Sequence, residues 1–115
     1  MRRGDLITVA TAGDYGKPRP ALVVQADAFE LISSLTVLPL TSDLREAPLL
    51  RITLEPSDAN GLRSISQVMV DKAITIPRHR AGGVIGHVAA DSMLMVDMAL
   101  RRFLGLAAWA GLTNP

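Results

Sequence analysis

Up to residue 88 this chain is built from short apolar runs separated by turns rich in glycine, proline and aspartate. Only after that does it change to a helical period. Runs this short cannot make stable helices, so they must pair as strands around a shared core. Residues 6–9 read as a first strand, closed by turn-forming residues 11–16. Residues 21–25 are apolar on both faces and belong inside the sheet, with Pro20 tolerated at the strand's start. A single helical turn is expected at 27–30, then a strand at 35–40 in which Pro39 implies a bulge or an edge. Residues 50–54 alternate as a half-exposed strand should, and 55–61 form a loop. A long β-rich run follows over 67–76, ending at Pro77 and a basic loop that closes at Gly82-Gly83. Residues 84–88 form a short last strand.

Asp91 or Ser92 can then cap a helix whose Met93, Val96, Leu100, Phe103 and Leu104 share one face. Arg101-Arg102 suits the negative end of its dipole, and Gly105 is a natural stop. The expected fold is α+β: a small antiparallel barrel with a C-terminal helix. At 115 residues the chain is read as a single domain over 1–115, with no repeat or linker.

Composition narrows the chemistry. There is no cysteine, which removes thiolate nucleophiles, disulfides and cysteine-ligated metals. The two histidines, His79 and His87, lack carboxylate partners at ligand spacing, so no metal or cofactor is expected. His87, inside an apolar strand, reads as a core or interface residue, and His79, between two arginines, as solvent-exposed. Net charge is +1, so any nucleic-acid contact must come from local patches such as Arg2-Arg3, Arg78-His79-Arg80 or Arg101-Arg102. Each of these reads more simply as a solvated surface. The four aromatic residues are too few for a base-stacking platform. Gly82, Gly83 and Gly86 lack the lysine and spacing of a phosphate-binding loop. No signal peptide opens the chain and no apolar stretch is long enough for a membrane span, so a cytoplasmic protein is expected.

Arg19 is the sharpest candidate for function. Its guanidinium fork matches phosphate oxygens, and Pro18 and Pro20 hold its backbone extended. The alternative is a plain surface arginine. Thr41 and Ser42 stand where a buried strand becomes loop, as turn caps or as donors to a phosphate or oxyanion. No histidine lies nearby to activate either hydroxyl, so a triad hydrolase has little support. Asp71 interrupts an apolar run and must be paired, with Arg19 or Lys72 as partner, solvent-facing in a groove, or functional.

Taken in order, several motifs resemble the MazF/PemK toxins of bacterial toxin–antitoxin modules. They are Arg3-Gly4-Asp5, Arg19-Pro20 with Leu22-Val23-Val24, Pro39-Leu40-Thr41-Ser42, Val68-Met69-Val70-Asp71, Ile85-Gly86, and Ala99-Leu100 with Leu104-Gly105-Leu106. The resemblance implies an SH3-like barrel, a homodimer and a metal-independent endoribonuclease acting on single-stranded RNA. In such enzymes the 2′-hydroxyl attacks the adjacent phosphate, leaving a 2′,3′-cyclic phosphate and a 5′-hydroxyl. It also implies a cognate antitoxin whose acidic segment occupies the site. Arg19 matches the family's catalytic arginine, Thr41 its catalytic threonine, and Ser42 a position near the RNA backbone. Asp71 matches an aspartate that some members use in acid–base work or base recognition. Two departures stand out. Met69 replaces an arginine of one branch, and the loop before Arg19 lacks the glutamate or histidine of some members, leaving Tyr15 and Lys17 as substitutes, Lys17 as a substrate contact. Rival readings are a CcdB-like toxin that binds DNA gyrase, suggested by Trp109, and a small barrel serving only as a binding module.

Overall fold

The computed structural model describes residues 1–10 and 17–107. Among these residues, seven antiparallel strands precede one α-helix. They are β1 (Asp5–Val9), β2 (Arg19–Val23), β3 (Ser34–Thr41), β4 (Arg51–Leu54), β5 (Ser66–Met69), β6 (Ile74–Pro77) and β7 (Ala81–His87), and the helix is α1 (Ala90–Leu104). The strands lie in the order β4-β5-β3-β2-β1-β7, with β6 also paired to β3. This is the α+β arrangement that the change of period predicts.

The central strands are apolar on both faces because each face buries a different core. Leu6 pairs with Leu22 and Leu22 with Leu38, making a row of leucines across three strands. That row packs with Val68, Val70, Val96 and Ala99, under α1. The alternate residues Ile7, Val9, Ala21, Val23, Leu35 and Val37 point the other way, into a second core closed by Ile76. Leu6, Ile7, Leu22, Val37 and Leu38 are all completely buried. Each such side chain contributes about 1.5–3 kcal/mol from removal of its apolar surface from water.

The second core is wrapped by a ring. β7 pairs with the outer edge of β1, β6 with β3, and a 3-10 turn at Arg78–Arg80 joins β6 directly to β7. Ile76 and Ala81, on either side of that turn, both pack into the core. Gly82 and Gly83 therefore lie inside β7 and do not close a loop. They sit in an irregular stretch opposite Thr8, where a side chain on Gly82 would strike the Thr8 hydroxyl.

Pro39 marks neither a bulge nor an edge. β3 pairs with β6 through Ser34–Val37 and with β5 through Leu40 and Thr41, and Pro39 stands between the two partners. The Val24 amide donates to the Thr36 carbonyl, which fixes the alternation with β2 and turns the Pro39 nitrogen toward this change of partner. A missing N–H forfeits no ladder bond there.

The run expected as one strand over 67–76 is broken by a 3-10 turn at Val70–Lys72. Val70 turns under α1 into the first core, and its amide donates to the Leu50 carbonyl at 3.0 Å. Asp71 turns to Arg51, so neither residue can hold a strand's alternation. β2 begins earlier than expected, with Arg19 already paired to Val9. The helix begins at Ala90 with Ala89 at its N-cap and no side-chain cap, while Asp91 lies in the first turn and accepts from the Ser92 amide. Its buried side is Val96 and Ala99, flanked by Met93 and Leu100. Phe103 and Leu104 are exposed, contrary to the one-face expectation. Gly105 ends the helix in the left-handed conformation, φ 69°.

Arginines of two of the basic patches make structural contacts. Arg2 bridges to Asp27 at 2.8 Å, and Arg3 reaches Asp97 on α1 while its Nε donates to the Val24 carbonyl. Arg78 donates to the Ile32 carbonyl. His87 is not a core residue. It is mostly exposed and its Nδ1 lies 2.6 Å from Asp5. The turn over 11–16, with Tyr15, and the tail with Trp109 lie outside the described residues.

Candidate active site

A groove of about 750 Å³ opens where β3 changes partner, at one end of the second core. Val9, Ala21 and Ile74 line it, and all three also belong to that core or pack against it. Arg19 and Pro20 come from β2, Pro39, Leu40 and Thr41 from β3, Met69 from the end of β5, and Lys72 and Ala73 from the segment joining β5 to β6. Strand pairing brings the first two groups together. β2 and β3 run antiparallel, with Ala21 opposite Pro39, so the start of one strand meets the end of the other. Arg19 and Thr41, far apart in sequence, therefore border one space.

Thr41 Oγ1 accepts a hydrogen bond from the Asp43 amide at 3.0 Å. Both sequence-level readings of this residue are compatible with that contact: the oxygen caps the turn, and the hydroxyl proton is still available to donate. The turn is held from beneath by Gln67, the cross-strand partner of Thr41. Its Oε1 accepts from the Arg45 amide at 2.9 Å, and its Nε2 donates to the Arg45 carbonyl at 3.0 Å and to Thr53 Oγ1 at 3.2 Å. Ser42 is exposed beside Thr41 and does not line the groove. Lys17 is likewise exposed, two residues before Arg19, and outside the lining.

Asp71 is absent from the groove lining. Its Oδ1 lies 2.6 Å from Arg51 Nη1 and its Oδ2 3.7 Å from Lys72 Nζ. Burial alone would raise its pKa. The hydrogen bond from Arg51, a backbone N–H, and the charges of Arg51 and Lys72 outweigh it and hold the carboxyl below its ordinary value. The ion pair expected with Arg19 or Lys72 is thus made chiefly with Arg51. An ionised carboxylate gripped this way is a poor proton donor and a weak base at neutral pH.

Sequence reasoning did not single out Lys72 and Gln67 as parts of this site. Lys72 appeared only as a possible partner of Asp71, and nothing in spacing could place it on the groove, since the break in the strand decides its direction. Among the described residues, Arg19 and Lys72 are the only charged groups that line the groove. No group of three or more His, Cys, Asp or Glu converges as metal ligands among the described residues.

Residues 2–104 match the family of PemK-like, MazF-like toxins of type II toxin–antitoxin systems, and the chain belongs to that family. A probable endoribonuclease MazF of Mycolicibacterium smegmatis is 47% identical over 108 residues, covering 93% of this chain and 99% of that protein. Among solved structures, the Mycobacterium tuberculosis toxin MazF-mt6 superposes with a TM-score of 0.75 at 25% identity, covering 90% of this chain and 99% of that one. A chain of the MazE–MazF crystal structure from Deinococcus radiodurans gives a TM-score of 0.75 at 25% identity, covering 93% and 97%.

Proposed function

We propose that this MazF-like endoribonuclease toxin cuts single-stranded RNA at the groove between β2 and β3, using the substrate's own 2′-hydroxyl as nucleophile. The observation that carries this reading is the meeting of Arg19 and Thr41 on one groove. As the 2′-oxygen bonds to phosphorus and the bond to the 5′-oxygen breaks, negative charge grows on the non-bridging oxygens. The Arg19 guanidinium forks onto these oxygens, and the Thr41 hydroxyl donates to the same phosphate. The 2′-hydroxyl gives up its proton to solvent and the departing 5′-oxygen takes one from solvent, so the products are a 2′,3′-cyclic phosphate and a 5′-hydroxyl. Such a reaction needs no protein nucleophile and no metal, in keeping with a groove whose described charged groups are both cations. Ser42 and Lys17, at the groove's approaches, contact flanking nucleotides. Asp71 acts from outside the groove as a positioning residue.

The protein works as a cytoplasmic homodimer restrained by a cognate antitoxin, a reading supported by the family and by the MazE–MazF pairing of the Deinococcus relative. No helix among the described residues is long and apolar enough to cross a membrane. An acidic antitoxin segment would compete with RNA phosphates for the groove's cations. Family membership favours the nuclease over the gyrase-binding alternative.

The test is incubation of purified protein with a long single-stranded RNA in EDTA, followed by end mapping. Cyclic-phosphate and 5′-hydroxyl ends are expected, with Arg19→Ala and Thr41→Ala folded but inactive. No cleavage by folded protein, or cleavage that requires added metal, overturns the reading.

A further inference from the structure

We propose that Lys72 is a substrate-binding residue of the groove, neutralising an RNA backbone phosphate beside the one gripped by Arg19, and that Asp71 positions it. The proposal rests on the endoribonuclease reading and adds a second phosphate contact to it. Lys72 ends the 3-10 turn at Val70–Lys72, and that turn is fixed at both neighbouring positions. Val70 is completely buried and its amide is bonded to the Leu50 carbonyl, while Asp71 is clamped by Arg51. The base of Lys72 therefore has little freedom.

The rest of its side chain is different. It is 59% exposed and lines the groove, and its Nζ lies 3.7 Å from Asp71 Oδ2. That distance is a loose ion pair, which orients the ammonium while leaving its donors available for a ligand. Asp71 already has a close partner in Arg51, so it has no need of Lys72 for its own satisfaction. The direction of dependence runs from Arg51 through Asp71 to Lys72. The result is a second cation on a different wall of the groove from Arg19. A polyanion passing through meets a positive charge on both sides.

The test compares wild type, Lys72→Ala, Lys72→Arg and Asp71→Asn in two measurements. One is binding of a fully 2′-O-methylated single-stranded RNA, which cannot supply the attacking hydroxyl, across a range of salt concentrations. The other is single-turnover cleavage of ordinary RNA. Lys72→Ala should bind several-fold more weakly, with the slope of log affinity against log salt reduced by about 0.7, the value for one phosphate contact on a single strand. Lys72→Arg should keep the slope. Asp71→Asn should also keep it, because the lysine charge remains, yet cleave more slowly. A wild-type slope in Lys72→Ala overturns the proposal, as does wild-type protein that cleaves RNA but shows no salt-dependent binding of the analogue. If wild type fails to cleave at all, the nuclease reading falls by itself, and the slope comparison still decides whether Lys72 meets a phosphate.

Discussion

Arg51 Nη1 and Asp71 Oδ1 stand 2.6 Å apart, with 13% and 19% of the two side chains exposed. The pair joins the start of β4 to the turn that breaks β5 from β6. Arg51 Nε is buried and has no hydrogen-bond partner, so the guanidinium depends on Asp71 for compensation. Removing one partner of such a pair strands the other charge. Asp71→Asn should therefore cost about 3 kcal/mol of stability. Replacing both residues, as Arg51→Met with Asp71→Leu, should recover most of the loss. Urea denaturation of the two single variants and the double variant measures this coupling.

Acid should weaken the fold through two carboxylates. Asp5 and Asp71 both titrate below their ordinary value in the folded protein. For Asp5 burial is the largest influence and opposes the shift, but the Arg2 amide and His87 outweigh it. A depressed folded pKa gives stability that is complete above the unfolded value. That stability disappears as pH falls through the folded one. Unfolding free energy should thus be flat near neutrality and fall below about pH 4. Asp71→Asn should make that acid-side fall shallower. A pH series of thermal melts on both proteins would show an unchanged slope if the ion pair does not hold the proton off Asp71.

Gln67 should matter to activity although it does not line the groove. It is 7% exposed and holds both backbone groups of Arg45, just beyond the Thr41 turn. Gln67→Leu keeps the volume but strips the Arg45 amide of its partner and leaves the Arg45 carbonyl with the Ala47 amide alone, at a cost of about 1–3 kcal/mol. Cleavage should slow through kcat more than through KM, because Thr41 loses its fixed position while the cations keep theirs. Steady-state kinetics beside a melting curve separates the two effects.

Gly86 is expected to tolerate no side chain. A Cβ there would run into the backbone of Asn60 and the Ala59 carbonyl. The loop cannot retreat easily. Asn60 accepts from the Ser57 and Leu62 amides and donates to the Glu55 carbonyl, and the Ala59 carbonyl accepts from the His87 amide. Gly86→Ala should cost about 1–3 kcal/mol as overpacking, readable as a lower urea midpoint.

The strand rhythm, the interior place of β2 and the helix stop at Gly105 were legible in the sequence. Each follows from residues close together along the chain. Arg19 and Thr41 were legible as a pair because both mark strand ends, and antiparallel pairing brings such ends together. The break at Val70–Lys72 was not legible, since apolar Val68, Met69 and Val70 read the same whether Val70 stays in the sheet or turns under α1. The Arg51–Asp71 pair was hidden for the same reason. Phe103 and Leu104 share the helical period but stay exposed, while Val96 and Ala99 are buried. Periodicity assigns a face without saying how far the covering surface extends.

Pro39 has a consequence for what a ligand meets. At the point where β3 exchanges one neighbour for another, any other residue would present an N–H in that direction. The proline presents only carbon. If RNA lies in this groove as proposed, a nucleotide passing Pro39 finds no main-chain N–H at that position, and contacts there fall to neighbouring side chains that can be exchanged one at a time. A scaffold of this kind can change its sequence preference without redrawing its sheet.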